Sequence, residues 1–177
     1  MNTEQQKIEY KSLQKIRTGE KGFKELSTTC VALANAQGGQ IMIGVEDKTK
    51  KPAPNQVIPQ EEANSAVTRL RGLCFNVGLA VGDVCADETG SQYFAITVFP
   101  SLHSYATTSD GKMYIRVADK CEPVRSEDIQ RVGEEKGAFQ WELVPTRFEL
   151  EDENKTNLSK FANDIRQSDR VKQHIKQ

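Results

Sequence analysis

The segment Gln40-Ile41-Met42-Ile43-Gly44-Val45 constrains the chain more than any other, because its residues are apolar at successive positions instead of alternate ones. A strand of that kind reads as central in its sheet and covered on both faces, so helices are expected above and below it. The flanking sequence offers two. Before it, Phe23, Leu26, Cys30, Leu33 and Ala34 recur at helical spacing up to Ala36, where Gly38-Gly39 supplies a stop. After it, Pro59 opens a second helix in which Ala63, Ala66, Val67, Leu70, Leu73, Cys74 and Val77 keep one face apolar.

Further strands follow from period-two alternation. Ile8 to Leu13 reads as a short edge strand with Glu9 and Lys11 on one face and Ile8 and Tyr10 on the other. Leu79 to Ala86 and Tyr93 to Phe99 flank Asp87-Glu88-Thr89-Gly90-Ser91, a hairpin connection. Asp110-Gly111 predicts a second hairpin, joining Tyr105–Thr108 to Lys112–Val117, with Met113, Ile115 and Val117 inward and Lys112, Tyr114 and Arg116 sharing the other face. Ser126 reads as the N-cap of a helix reaching Gly133 or Gly137. The order predicts an α/β (α+β) domain with a mixed sheet and helices packed on it.

Composition narrows the function classes. Twenty-four Lys+Arg against twenty-five Asp+Glu give a net charge of −1, which excludes a polycation and confines any nucleic-acid surface to a local patch. The start of the chain is polar where a signal peptide would be apolar, and no run approaches a membrane span, so a cytoplasmic protein without membrane contact is expected. Cys30, Cys74, Cys85 and Cys121 lie far apart and read as reduced thiols, while His103 and His174 have no partner at metal-ligand spacing. From Glu149 the chain becomes charged, with six acids against six bases and a stripe of Leu158, Phe161 and Ile165. Residues 149–177 therefore read as a helical extension of a domain over 4–148, leading toward a further domain.

Three stretches carry a resemblance. Glu9-Tyr10-Lys11, the run from Val31 through Asn35 and Gly38-Gly39 to Glu46-Asp47, and Tyr114-Ile115-Arg116-Val117 are similar, in order and across roughly residues 4 to 137, to the Schlafen-type AlbA-like domain. The resemblance implies a nucleic-acid-binding module, DNA or RNA, at the head of a bacterial transcriptional regulator or a divergent AAA-type ATP-binding protein. Some Schlafens also cleave tRNA through three carboxylates. Two positions depart from the family pattern: Ala118 stands where Gly is usual after the Tyr-x-Arg-Val strand, and Ser104 where Pro is common.

For a nuclease, the resemblance points to Glu4, Glu9 and Asp47 (or Glu46) as ligands of Mg²⁺ or Mn²⁺; independently, Glu9 and Lys11 on one strand face are similar to the E-x-K half of restriction-type nucleases, in which the lysine stabilises developing charge. The ordinary reading of the same residues is a solvated edge-strand pair and a turn acid. For binding, Lys112, Tyr114 and Arg116 set two cations around an aromatic ring, and Arg69, Lys48 and Lys51 extend a basic track. Thr18-Gly19-Glu20-Lys21-Gly22 lacks the full phosphate-loop pattern, so no cofactor is expected in this chain and ATP enters only through a part beyond Gln177. A protein-interaction module is the third reading, and homodimer formation is left open.

Overall fold

The computed structural model describes residues 7–102, 104–135 and 152–167. The chain divides into two compact units, Met1–Gln140 and Trp141–Gln177. In the first unit a sheet runs in the order β1 (Ile8–Lys11), β2 (Gly39–Ile43), β6 (Gln92–Phe99), β4 (Gly78–Val81), with β5 (Cys85–Ala86) also paired to β6. β1 runs parallel to β2, and the other pairings are antiparallel, so the sheet is mixed as expected. In the second unit, α5 (Asp152–Gln167) spans the stretch carrying Leu158, Phe161 and Ile165. Among the described residues no helix is long and apolar enough to cross a membrane.

β2 is central, but its two faces differ from expectation. Ile41 and Ile43 join Phe94, Ile96, Val98 and Leu79 in one core with α2 (Glu20–Asn35) and α3 (Gln60–Leu73). The opposite face carries Tyr10, Gln40, Met42, Tyr93, Ala95 and Thr97, and none of these is buried. The two long helices of this unit therefore share one side of the sheet instead of sandwiching it. Met42 accounts for the continuous apolar run: it lies between Tyr10 and Ala95 on the open face, while Val45 is buried beyond the strand end and bridged to Pro52.

Other elements depart locally from the sequence pattern. α3 ends at Leu73, not Val77: Cys74 is extended and starts β3 (Cys74–Phe75), which pairs with β7 (Thr107–Thr108). That pairing takes β7 away from the strand after Asp110-Gly111. The tight turn survives, with the Thr108 and Gly111 amides donating to the carbonyls of Lys112 and Thr108, yet β8 (Tyr114–Val117) pairs with β9 (Lys120–Pro123). Along β8 the expected faces are reversed. Tyr114 packs against the core and the Arg116 side chain is only 5% exposed, whereas Val117 is 49% exposed. Ser126 begins a 3₁₀ turn (Ser126–Asp128) and caps nothing; α4 follows over Ile129–Glu135. A one-turn helix α1 (Gln14–Arg17) was not legible in the pattern, and Arg17 ties it to α3 through two hydrogen bonds to Glu62.

The Asn35-to-Gly39 segment fixes how α2 leaves the helical layer. Gly38 has φ +74°, and a Cβ there would stand 2.6 Å from the Val98 carbonyl oxygen; at Gly39 it would stand 2.4 Å from that of Lys7. Neither backbone oxygen can yield, so only glycine permits the approach of β1 and β6 to this corner.

Candidate functional site

The residues singled out for chemistry fall into separate places. Glu9, Asp47 and Arg116 line one open groove of about 550 Å³ together with Ile8, Tyr10, Lys50 and Asp119. β1 delivers Glu9 on the same side as Ile41, at the edge where β8 covers the sheet, so its carboxylate meets Arg116. Arg116 Nη2 donates to Glu9 Oε2 at 2.6 Å, and Lys11 Nζ lies 2.7 Å from Glu9 Oε1. Both carboxylate oxygens are thus engaged by cations. Arg116 Nη1 also donates to the Cys121 sulfur at 3.4 Å, while its Nε is buried with no hydrogen-bond partner.

The Glu46–Pro52 loop forms the far wall. The Glu46 amide donates to the Lys51 carbonyl and the Lys50 amide to the Glu46 carbonyl, and Val45 bridges to Pro52, so the loop is a closed turn. Lys50, at φ +53°, reaches back over the Tyr10 ring, 4.2 Å from its centroid, and donates to Asp47 Oδ1 at 2.6 Å. That hydrogen bond holds the Asp47 carboxyl below its ordinary range. Lys48 and Lys51 project from the same loop and are exposed.

Remaining candidates lie elsewhere. Arg69 stacks over the Phe23 ring at 4.1 Å and lines, with Tyr114, a smaller cavity of about 270 Å³ between α2, α3 and the Thr108–Asp110 turn. Lys112 is paired to Asp110 at 3.0 Å, outside β8. The expected trio of Lys112, Tyr114 and Arg116 is therefore split three ways. Glu4 lies outside the described residues. Sequence reasoning missed Tyr10 and Asp119 as groove residues. Tyr10 adjoins Glu9 and faces away from it on an ideal strand, so only the edge position of β1 lets both reach one groove.

Glu9 is engaged by Lys11 and Arg116, Asp47 is held by Lys50, and among the described residues no three His, Cys, Asp or Glu side chains converge.

The Schlafen, AlbA_2 family model matches residues 4–125, more than half of the chain. The chain belongs to the Schlafen AlbA_2 family. Membership links the domain to nucleic-acid-related proteins at the level of the family. A solved structure, the DIP2311 protein of Corynebacterium diphtheriae, is 21% identical with a TM-score of 0.50 over 70% of this chain. This chain covers 26% of that one, and the likeness is one of fold. No curated protein matches it significantly.

In the Schlafen AlbA_2 domain the usual Gly after Tyr-x-Arg-Val also finds its reason. Ala118 occupies the two-residue turn between β8 and β9 at φ +55°, a left-handed conformation that costs a residue with a Cβ about 1 kcal/mol. Ala118→Gly is expected to stabilise the domain by roughly 0.5 kcal/mol after the larger chain entropy of glycine is subtracted. Chemical denaturation checks this, and a loss of stability would show that the turn is not strained.

Proposed function

We infer that this Schlafen AlbA_2 domain is a nucleic-acid-binding module belonging to a larger bacterial transcriptional regulator. The observation that carries the reading is the closed Glu46–Pro52 loop, which carries Lys48, Lys50 and Lys51 and sets Lys50 over the Tyr10 ring at the margin of an open sheet face. Cations spaced along a rigid turn suit phosphate contacts, and an adjacent aromatic ring suits a base. The near-zero net charge of the chain is compatible with this, because the patch is local.

The test incubates labelled tRNA, single-stranded RNA and duplex DNA with the protein in EDTA, Mg²⁺ or Mn²⁺, and resolves each mixture on native and denaturing gels. A retarded band in EDTA, lost in a Lys48→Glu, Lys51→Glu variant, is the expected result. No retardation at low salt would contradict it and favour a protein-interaction module.

A second reading, a metal-dependent ribonuclease, is favoured by one observation: Glu9 and Asp47 line the same groove. It requires Glu4 to complete the acidic set and the ion to displace Lys11 or Arg116 from Glu9. Metal-dependent fragments that disappear in Glu9→Gln would establish it.

A further inference from the structure

The open face of the sheet holds a second concavity that neither the family match nor the acidic groove accounts for. It has a volume of about 660 Å³, within the roughly 300–1,000 Å³ of small-ligand sites, and from the open sheet face Tyr10, Met42 and Tyr93 line it. Lys50, Lys51 and Pro52 form one wall, and Asp87, Glu88 and Thr89 the other.

Both walls are fixed by their own hydrogen bonds. The lysine wall is the closed Glu46–Pro52 turn. The acidic wall is built on Asp87 Oδ1, which accepts from the amides of Thr89 and Ser91, each at 2.9 Å, and from the Thr89 hydroxyl at 2.7 Å. A cleft whose sides need no ordering on binding loses little affinity to entropy.

Charge divides the cleft unevenly. Phosphate is attracted to the lysine side, chiefly to Lys51 because Lys50 is already paired with Asp47 at 2.6 Å, and repelled from Asp87 and Glu88, so one orientation of a nucleotide is favoured. Tyr93 lines the cleft and is half-buried, an aromatic ring of the kind on which a flat base stacks, while Lys50 already occupies the Tyr10 ring. A duplex buries its bases in the stack and cannot present one to Tyr93.

The geometry points to a site for a single unpaired nucleotide, its base stacked on Tyr93 and its phosphate held by Lys50 and Lys51, which makes the domain a reader of single strands. The inference rests on the nucleic-acid-binding reading and specifies the form of nucleic acid.

The test measures fluorescence anisotropy of labelled oligouridylate, oligothymidylate and a duplex of matched length, without metal. Stacking on an aromatic ring contributes about 1–3 kcal/mol per base, so Tyr93→Leu is expected to weaken single-strand binding about 5- to 150-fold and leave duplex binding unchanged, while Tyr93→Phe binds as the parent does. Tyr93→Trp reads the same contact without removing the ring: its added indole fluorescence is expected to fall when either single strand is bound, and this arm stands even where Tyr93→Leu fails to fold. Binding of either single strand supports the site. Unchanged single-strand affinity in folded Tyr93→Leu, or unquenched Tyr93→Trp with strand bound, would overturn this site and leave nucleic-acid binding standing. Binding of duplex alone would do the same. Absence of binding to every probe would overturn both.

Discussion

Replacing Asn35 by alanine is expected to cost the domain roughly 3–5 kcal/mol, the largest stability effect of any polar substitution in the fold. Asn35 ends α2 and is 5% exposed. Its Nδ2 donates to the carbonyls of Ala106 at 2.8 Å and Tyr114 at 2.9 Å, and its Oδ1 accepts from the Ala106 amide at 2.9 Å. One side chain thus satisfies three backbone groups on two segments that have no sheet partner at those atoms. Truncation leaves them unpaired, at about 1–3 kcal/mol for each group that water does not reach.

Asn35→Asp adds a pH signature. A carboxylate would face two carbonyl oxygens with no proton to give, so burial and repulsion push its pKa above that of the unfolded chain. A group raised in this way contributes stability that is present below its unfolded pKa and lost as pH rises through the folded value. The variant is therefore expected to gain stability on acidification from neutrality, where Asn35→Ala shows no such gain. Urea unfolding of both variants at neutral and acidic pH checks this; equal pH profiles would remove Asn35 from its role as the strut between α2 and β8.

The second large effect concerns the Glu9–Arg116 pair. Arg116→Ala removes a guanidinium whose side chain is 5% exposed and leaves Glu9, 18% exposed, with Lys11 alone. Loss of one partner of a buried pair costs about 3–5 kcal/mol when the other is stranded; Lys11 lowers this to about 2–3. Glu9→Gln combined with Arg116→Met leaves only the Lys11 ammonium, 24% exposed, without its carboxylate, and is expected to cost less than the two single changes together, with a coupling of about 1–2 kcal/mol in a double-mutant cycle. Additive costs would mean that the two side chains do not hold each other. The cycle also bears on chemistry: an acid so firmly paired serves first to fasten β1 to β8, where Arg116 Nε is buried without a hydrogen-bond partner.

These two positions show what was legible in the sequence. The central strand, the edge strand, both long helices and the mixed sheet followed from periodicity, because burial enforces it. The Asn35-to-Gly39 run was recognisable as a family motif, yet its meaning lay in contacts with Ala106, Tyr114, Val98 and Lys7, distant in sequence and invisible to any local pattern. Strand β8 misled for a similar reason. Arg116 and Tyr114 look like a solvent face by polarity, but an arginine can turn inward where a carboxylate from another strand awaits it, and Glu9 supplies one across 107 positions. The hairpin at Asp110-Gly111 failed because β3 offered β7 a competing partner, while the turn itself survived. On the candidate site, Glu9, Asp47 and Arg116 do share a groove, whereas Lys112, Arg69 and Tyr114 are drawn away by Asp110, Phe23 and the core.

The salt dependence of single-strand binding tests nucleic-acid recognition by the Lys48–Lys51 loop most directly. Three phosphate contacts predict a slope of about −2 in log affinity against log salt, a weakening of about 20-fold from about 50 to about 200 mM. Replacing Lys48, Lys50 and Lys51 by glutamine is expected to flatten that slope. An affinity that ignores salt, or a slope that survives loss of all three lysines, would contradict it.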